Sequence, residues 1–138
     1  MKKKKKPQKM WIYSPKQEKI NPSEEVKKDL MDFFTPLIEK FKEVFIPANP
    51  DKSYNYCVDI YTKWNRNAFY FCQKFTSESP HAIRSSFDSS FVKLEYKGED
   101  TFHFSYFRHT GKWHLVGEFV TKEKALEMIL ENRVFQPL

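Results

Sequence analysis

The sequence predicts an α+β fold: a long amino-terminal helix packed on a five-stranded antiparallel meander sheet, followed by a short carboxy-terminal helix. Three observations carry this reading. Apolar residues recur at threes and fours from Val26 through Leu30, Phe33, Phe34, Leu37 and Ile38 to Phe41, as one buried helix face requires. The period then changes to two, in runs rich in Tyr, Phe, Val, Ile and Thr separated by turn residues. A second helical run, Lys122 to Glu131, opens on the capping residue Thr121 and turns Ala125, Leu126, Ile129 and Leu130 inward.

The first helix starts at Asn21-Pro22-Ser23-Glu24, with Asn21 as cap, Pro22 at the first helical position and Glu24 at the third. Pro36 lies inside it and removes a backbone hydrogen bond, which predicts a kink near Asp32 to Thr35 or a break into two helices. After a loop at Phe45 to Asp51, Tyr54–Trp64 and Ala68–Phe75 form a hairpin about Asn65-Arg66-Asn67. Thr76 to Ser90 reads as a serine-rich connection holding Pro80, His81, Arg84 and Asp88. Phe91–Tyr96, Phe102–Arg108 and Trp113–Phe119 complete the sheet, and the last residues read as a tail with one or two apolar anchors.

Length and charge bound the organisation. The 138 residues give room for one domain, residues 11–138, preceded by a lysine-rich tail, residues 1–10. The net charge of +6 belongs to that tail, because Lys2, Lys3, Lys4, Lys5, Lys6 and Lys9 stand there without an acid and the remainder is formally neutral. Five consecutive lysines repel one another and bury nothing, so the tail is expected to be disordered and to attract nucleic acid or another polyanion without sequence preference. Residues 11–20 begin with Trp11 and Tyr13 at spacing two and read as an arm laid on the domain. No apolar stretch follows the lysines and none approaches the ~20 residues that span a bilayer, so no membrane association and a cytoplasmic location are expected. Cys57 and Cys72 lack a CxxC partner or a histidine at zinc-ligand spacing, so neither a metal site nor a cofactor is expected.

The densest chemistry lies in Phe102-His-Phe-Ser-Tyr-Phe-Arg-His-Thr-Gly-Lys-Trp113. Positive φ is costly at Thr110, so a type I turn with Gly111 at the bulge position fits the hairpin. That register sets Arg108 opposite Lys112, Phe107 opposite Trp113, Tyr106 opposite His114 and Phe104 opposite Val116. It puts His103 and His114 on opposite faces and gives both faces aromatic residues, of which helix one can cover only one. The leading functional reading is therefore a non-enzymatic binding module whose sheet presents Trp64, Arg66, Tyr106, Arg108, His109 and Trp113, with nucleic acid as a candidate ligand. Rings would stack on bases while cations follow phosphates. Two alternatives stay open: a small enzyme with a site built on Asp59, Arg108 and His109, and a protein-interaction subunit marked by an exposed apolar patch. Asp59 stands in mid-strand and is expected to pair with Arg66, Lys63 or Arg108. Activated nucleophiles, phosphate-binding glycine loops and paired carboxylates are missing from the pattern, and no catalytic residue is assigned.

At Lys63-Trp-Asn-Arg-Asn-Ala-Phe-Tyr-Phe71, Pro80-His-Ala-Ile83, Leu94-Glu-Tyr96 and Tyr106-Phe-Arg-His-Thr-Gly-Lys-Trp113 the chain resembles a family of small uncharacterised bacterial proteins. The resemblance runs from about Trp11 to Pro137 and is most specific at RHTGKW. It implies a compact unit of unassigned function and carries over no substrate or catalytic residue.

Overall fold

The computed structural model describes residues 19–78, 85–108 and 110–138; the lysine tail, the Trp11–Tyr13 arm, His81, Arg84 and His109 lie outside them. Its order is α1 (Glu24–Phe45), β1 (Tyr56–Asn65), β2 (Ala68–Thr76), β3 (Ser86–Gly98), β4 (Thr101–Phe107), β5 (Trp113–Val120), α2 (Lys122–Glu131) and a 3-10 turn at Arg133–Phe135. The five strands pair antiparallel in sequence order, β1-β2-β3-β4-β5, which is a meander. This is the α+β arrangement that the two periodicities predict.

The cap of α1 is Ser23, two residues later than expected. Its hydroxyl accepts from the Val26 amide at 3.2 Å, and Glu24 and Glu25 in the first turn complement the helix dipole. Pro36 does not break the helix, which runs 22 residues without interruption. It stands on the exposed side, where water can satisfy the carbonyl left without a donor. Leu30, Phe34, Leu37, Ile38 and Phe41 form the buried stripe. Phe34 sits at its centre, with Phe71 edge-on at 5.0 Å and Phe69 at 6.1 Å between ring centroids.

That stripe covers one face of the sheet, made of Ile60, Phe69, Phe71, Val92, Leu94, Phe102 and Phe104. Ala125 and Ile129 of α2 and Phe135 of the 3-10 turn cover the β4 end. Of the four residues expected to face inward from α2, Leu130 instead stands 53% exposed, since the helix touches the sheet along a narrower line. The carboxy-terminal anchor is Phe135, whose ring lies 4.9 Å from Phe104. Buried Gln73 holds the segment beyond it by accepting from the Leu138 amide at 2.9 Å and donating to its carbonyl at 3.3 Å.

Two further sequence expectations need correction. Strand β3 begins at Ser86, so Ser86–Ser90 belong to the sheet and not to a loop. They pair with Cys72–Thr76 of β2, and Phe87 stacks on Phe75 at 5.2 Å. Cross-strand pairing overrides the low strand preference of serine. Second, Phe104 lies opposite Gly117 and not Val116, because a bulge in β5 follows Leu115. The rest of the hairpin register holds: Phe107 meets Trp113, Tyr106 meets His114, and the Arg108 amide donates to the Lys112 carbonyl at 3.0 Å. Gly111, at φ +85, donates to the Arg108 carbonyl at 2.8 Å, so the glycine takes the bulge position expected of it.

Candidate functional site

Antiparallel pairing fixes which residues share the uncovered face. One row crosses the sheet as Lys63, Tyr70, Lys93, Ser105 and Leu115. Its neighbours on that face are Tyr61, Cys72 and Ser90 on one side, and Asn65, Ala68, Glu95 and His103 on the other. Small residues form the floor: Cys72 is 1% exposed, Ala68 6% and Ser105 7%, although no helix among the described residues lies over them. Their burial comes from the long side chains that rise around them.

Trp113 shows how this works. Because Ser105 is short, the indole can lean across β4 and over β3 to meet the Tyr70 ring of β2, with ring centroids 5.9 Å apart. Phe107 meets its other edge at 5.2 Å. The Lys93 ammonium lies 4.9 Å over the indole and Lys63 6.0 Å over the Tyr70 ring, so cations alternate with rings across the face. Between them opens a groove of about 430 Å³ lined by Lys63, Asn65, Tyr70, Asp88, Ser89, Ser90, Phe107 and Trp113. A second, polar cavity of about 340 Å³ adjoins it at the β1–β2 turn and shares Asn65 and Tyr70.

Both carboxylates in these cavities are engaged. The Tyr61 hydroxyl donates to Asp88, and burial together with that hydrogen bond pushes the phenol's pKa well above its ordinary value. Glu95 accepts from Lys97 at 3.3 Å and Asn67 at 3.4 Å; burial opposes its ionisation, but Lys97, Asn67 and Lys93 together hold its pKa below the usual carboxylate range. Burial raises the Cys72 thiol's pKa against the opposing pull of Ser90 and Lys63. Cys57 and Cys72 are both free, and they meet Phe75 and Tyr61 respectively, so they do not face each other across the strands.

The residues singled out from the sequence divide. Trp113 and Arg66 border the uncovered face, Arg66 at the turn and at φ +59, a conformation that costs a non-glycine residue roughly 1–2 kcal/mol. Trp64 and Tyr106 lie on the covered face. The Trp64 indole donates to the Lys27 carbonyl of α1 at 3.2 Å, and the Tyr106 ring packs 5.1 Å from Phe135. Arg108 is half-buried at the β4–β5 turn. Asp59 sits at a bulge in the outer strand β1, and its partner is Lys42 of α1 at 3.8 Å, not the arginines or Lys63. Three strand spacings separate Asp59 on β1 from Arg108 at the end of β4, about 14 Å, so the two do not converge.

Sequence reasoning missed Tyr70 and Lys93, and did not join Tyr61 and Lys63 of β1 to Phe107 and Trp113 as one surface. The signal that could have found them is the pairing of β2 with β3. Toward the β5 edge the same face carries exposed Leu115 and Phe119, and His103 packs edge-on against Phe119 at 4.7 Å. The His103 Nε2 is enclosed there and has no hydrogen-bond partner among the described residues. Among the described residues no three or more His, Cys, Asp or Glu side chains are grouped to hold a metal ion.

These features define an α+β protein whose sheet is covered by helices on one face and grooved on the other. The chain belongs to the family described as domain of unknown function (DUF3024), whose model matches residues 16–137. No curated protein and no solved structure matches it. Among the described residues no helix is long and apolar enough to cross a membrane.

Proposed function

We propose that this protein is a binding module whose uncovered sheet face takes single-stranded nucleic acid. The observation that carries the reading is the alternation of Lys63, Tyr70, Trp113 and Lys93 across the groove and the cavity beside it, on a face that no helix of the described residues covers. Rings offer stacking surfaces to bases of any identity, and the ammonium groups between them can follow a phosphate backbone. Asp88 and Glu95 oppose this less than their charge implies, since each is already tied to a neighbour. Arg66 and Arg108 flank the surface, and His109 at the turn and the tail lysines Lys2, Lys3, Lys4, Lys5, Lys6 and Lys9 add to its attraction for polyanions. Trp64 and Tyr106, turned to the helices, are left out of the proposed surface. The free, reduced cysteines fit a cytoplasmic site of action.

Fluorescence anisotropy with a labelled, mixed-sequence single-stranded oligonucleotide tests this. Stacking on one ring contributes about 1–3 kcal/mol, so Trp113→Ala should weaken binding roughly 5- to 150-fold, and Lys93→Ala should also flatten the salt dependence. Unchanged affinity in both variants overturns the reading. It leaves the protein-partner alternative, for which the exposed β5 side chains Leu115, Val116 and Phe119 speak.

A further inference from the structure

We propose that the polar cavity at the β1–β2 turn binds a terminal phosphate, the phosphomonoester dianion at the end of a strand whose bases lie in the adjoining ring-lined groove; this rests on the platform reading above. Lys19, Arg66 and Lys93 supply three cations to the cavity's lining, and Glu95 is its carboxylate. Lys97, outside the lining, holds that carboxylate at 3.3 Å and offsets its charge. The cavity is left with an excess of positive charge. A phosphomonoester carries roughly −1.5 to −2 at neutral pH and three acceptor oxygens, so it answers this excess better than a singly charged diester link.

The geometry also favours an end over a passing strand. Asn65 and Tyr70 line both cavities, and Lys93, whose ammonium lies 4.9 Å over the Trp113 ring, joins them into one path. On its far side that path meets the β1–β2 turn and the Lys19–Ile20 segment. Ile20 is packed so closely on Gly98 that its Cδ1 lies 3.2 Å from where a Cβ would stand. A strand following the rings toward Arg66 meets the β1–β2 turn and Lys19 at the lining of the polar cavity, and in the proposed arrangement its terminus lies there. Arg66 is the group to remove, because at φ +59 glycine suits the turn better than arginine does, so Arg66→Gly deletes the guanidinium without asking the backbone to change.

The test compares three oligonucleotides of one short sequence, bearing a 5′-phosphate, a 3′-phosphate or neither, by calorimetric titration of the full chain. Inorganic phosphate serves as a separate probe in thermal unfolding. One phosphorylated end should bind about tenfold tighter or more than the bare strand, the scale of one charge-assisted hydrogen bond. Arg66→Gly should abolish that preference, whatever it takes from the affinity the three strands share, and Trp113→Ala should weaken all three. Equal affinity for the three strands, or a preference that survives Arg66→Gly, overturns the terminal-phosphate site and leaves the platform standing. Conversely, if no strand binds yet inorganic phosphate raises the melting temperature of wild type and not of Arg66→Gly, the nucleic-acid reading falls and the phosphate site holds.

Discussion

Gly117 shows at the scale of one residue how tightly the bulged hairpin is set against the second helix. A Cβ built there would stand 3.1 Å from Cγ1 of Val120, 3.3 Å from the Met128 methyl and 3.4 Å from Cβ of Phe104. The Met128 methyl ends a flexible chain and can swing aside for a single carbon. A branched side chain would press on Val120 and Phe104 as well, and neither has room to give. Gly117→Val should therefore lower stability by roughly 1–3 kcal/mol, while Gly117→Ala stays within about 1 kcal/mol. Thermal or urea unfolding measures the difference, and a valine variant as stable as wild type would mean the bulge can open. The small residues of the other face, Ala68, Cys72 and Ser105, have a different use. They are the floor over which Trp113 reaches Tyr70, and nothing in their own sequence neighbourhood marks them as such.

Among the elements, α1 was the most legible, since its stripe is set by residues three and four apart. The β4–β5 turn was legible for a similar reason: Thr110 resists positive φ and Gly111 accepts it, so the bulge follows from two adjacent residues. Ser86–Ser90 were not, because their strand depends on pairing with β2, whose partner residues Thr76 to Cys72 lie well outside any local sequence window. The same distance hid the site. Trp64, Tyr106 and Trp113 all sit in alternating aromatic strands, and only the docking of α1 and the 3-10 turn decides that the first two are covered. Pro36 remains the local conflict inside α1. A proline in a helix interior costs about 3 kcal/mol relative to alanine, and at an exposed position no packing is lost by replacing it. Pro36→Ala should raise stability by roughly 1–3 kcal/mol in urea unfolding. A loss of stability would show instead that the proline sets the helix trajectory across the sheet.

For the molecule as a whole, the groups under the uncovered face set how stability responds to pH. Burial raises the pKa of both Cys72 and Tyr61 in the folded state, the thiol against Ser90 and Lys63, the phenol together with its bond to Asp88. Each is thus held protonated by folding, and its contribution is complete below its unfolded pKa, about 8.5 for a thiol and 10 for a phenol. Above those values the unfolded chain releases the proton while the folded chain keeps it, so stability falls as pH climbs toward the folded values. Glu95 acts in the opposite range. Its folded pKa is lowered, so its contribution is present above about 4.3 and fades as pH drops through the folded value. The urea midpoint should therefore be highest near neutrality, decline from about pH 8.5 upward, and decline again below about pH 4.3. Replacing the two alkaline groups together, Cys72→Ala with Tyr61→Phe, should flatten the alkaline limb and leave the acid limb in place. If the double variant loses stability between pH 8 and 10 as steeply as wild type, those two groups are not its source. The floor of the groove would then be open to water in a way that the burial of Cys72 contradicts.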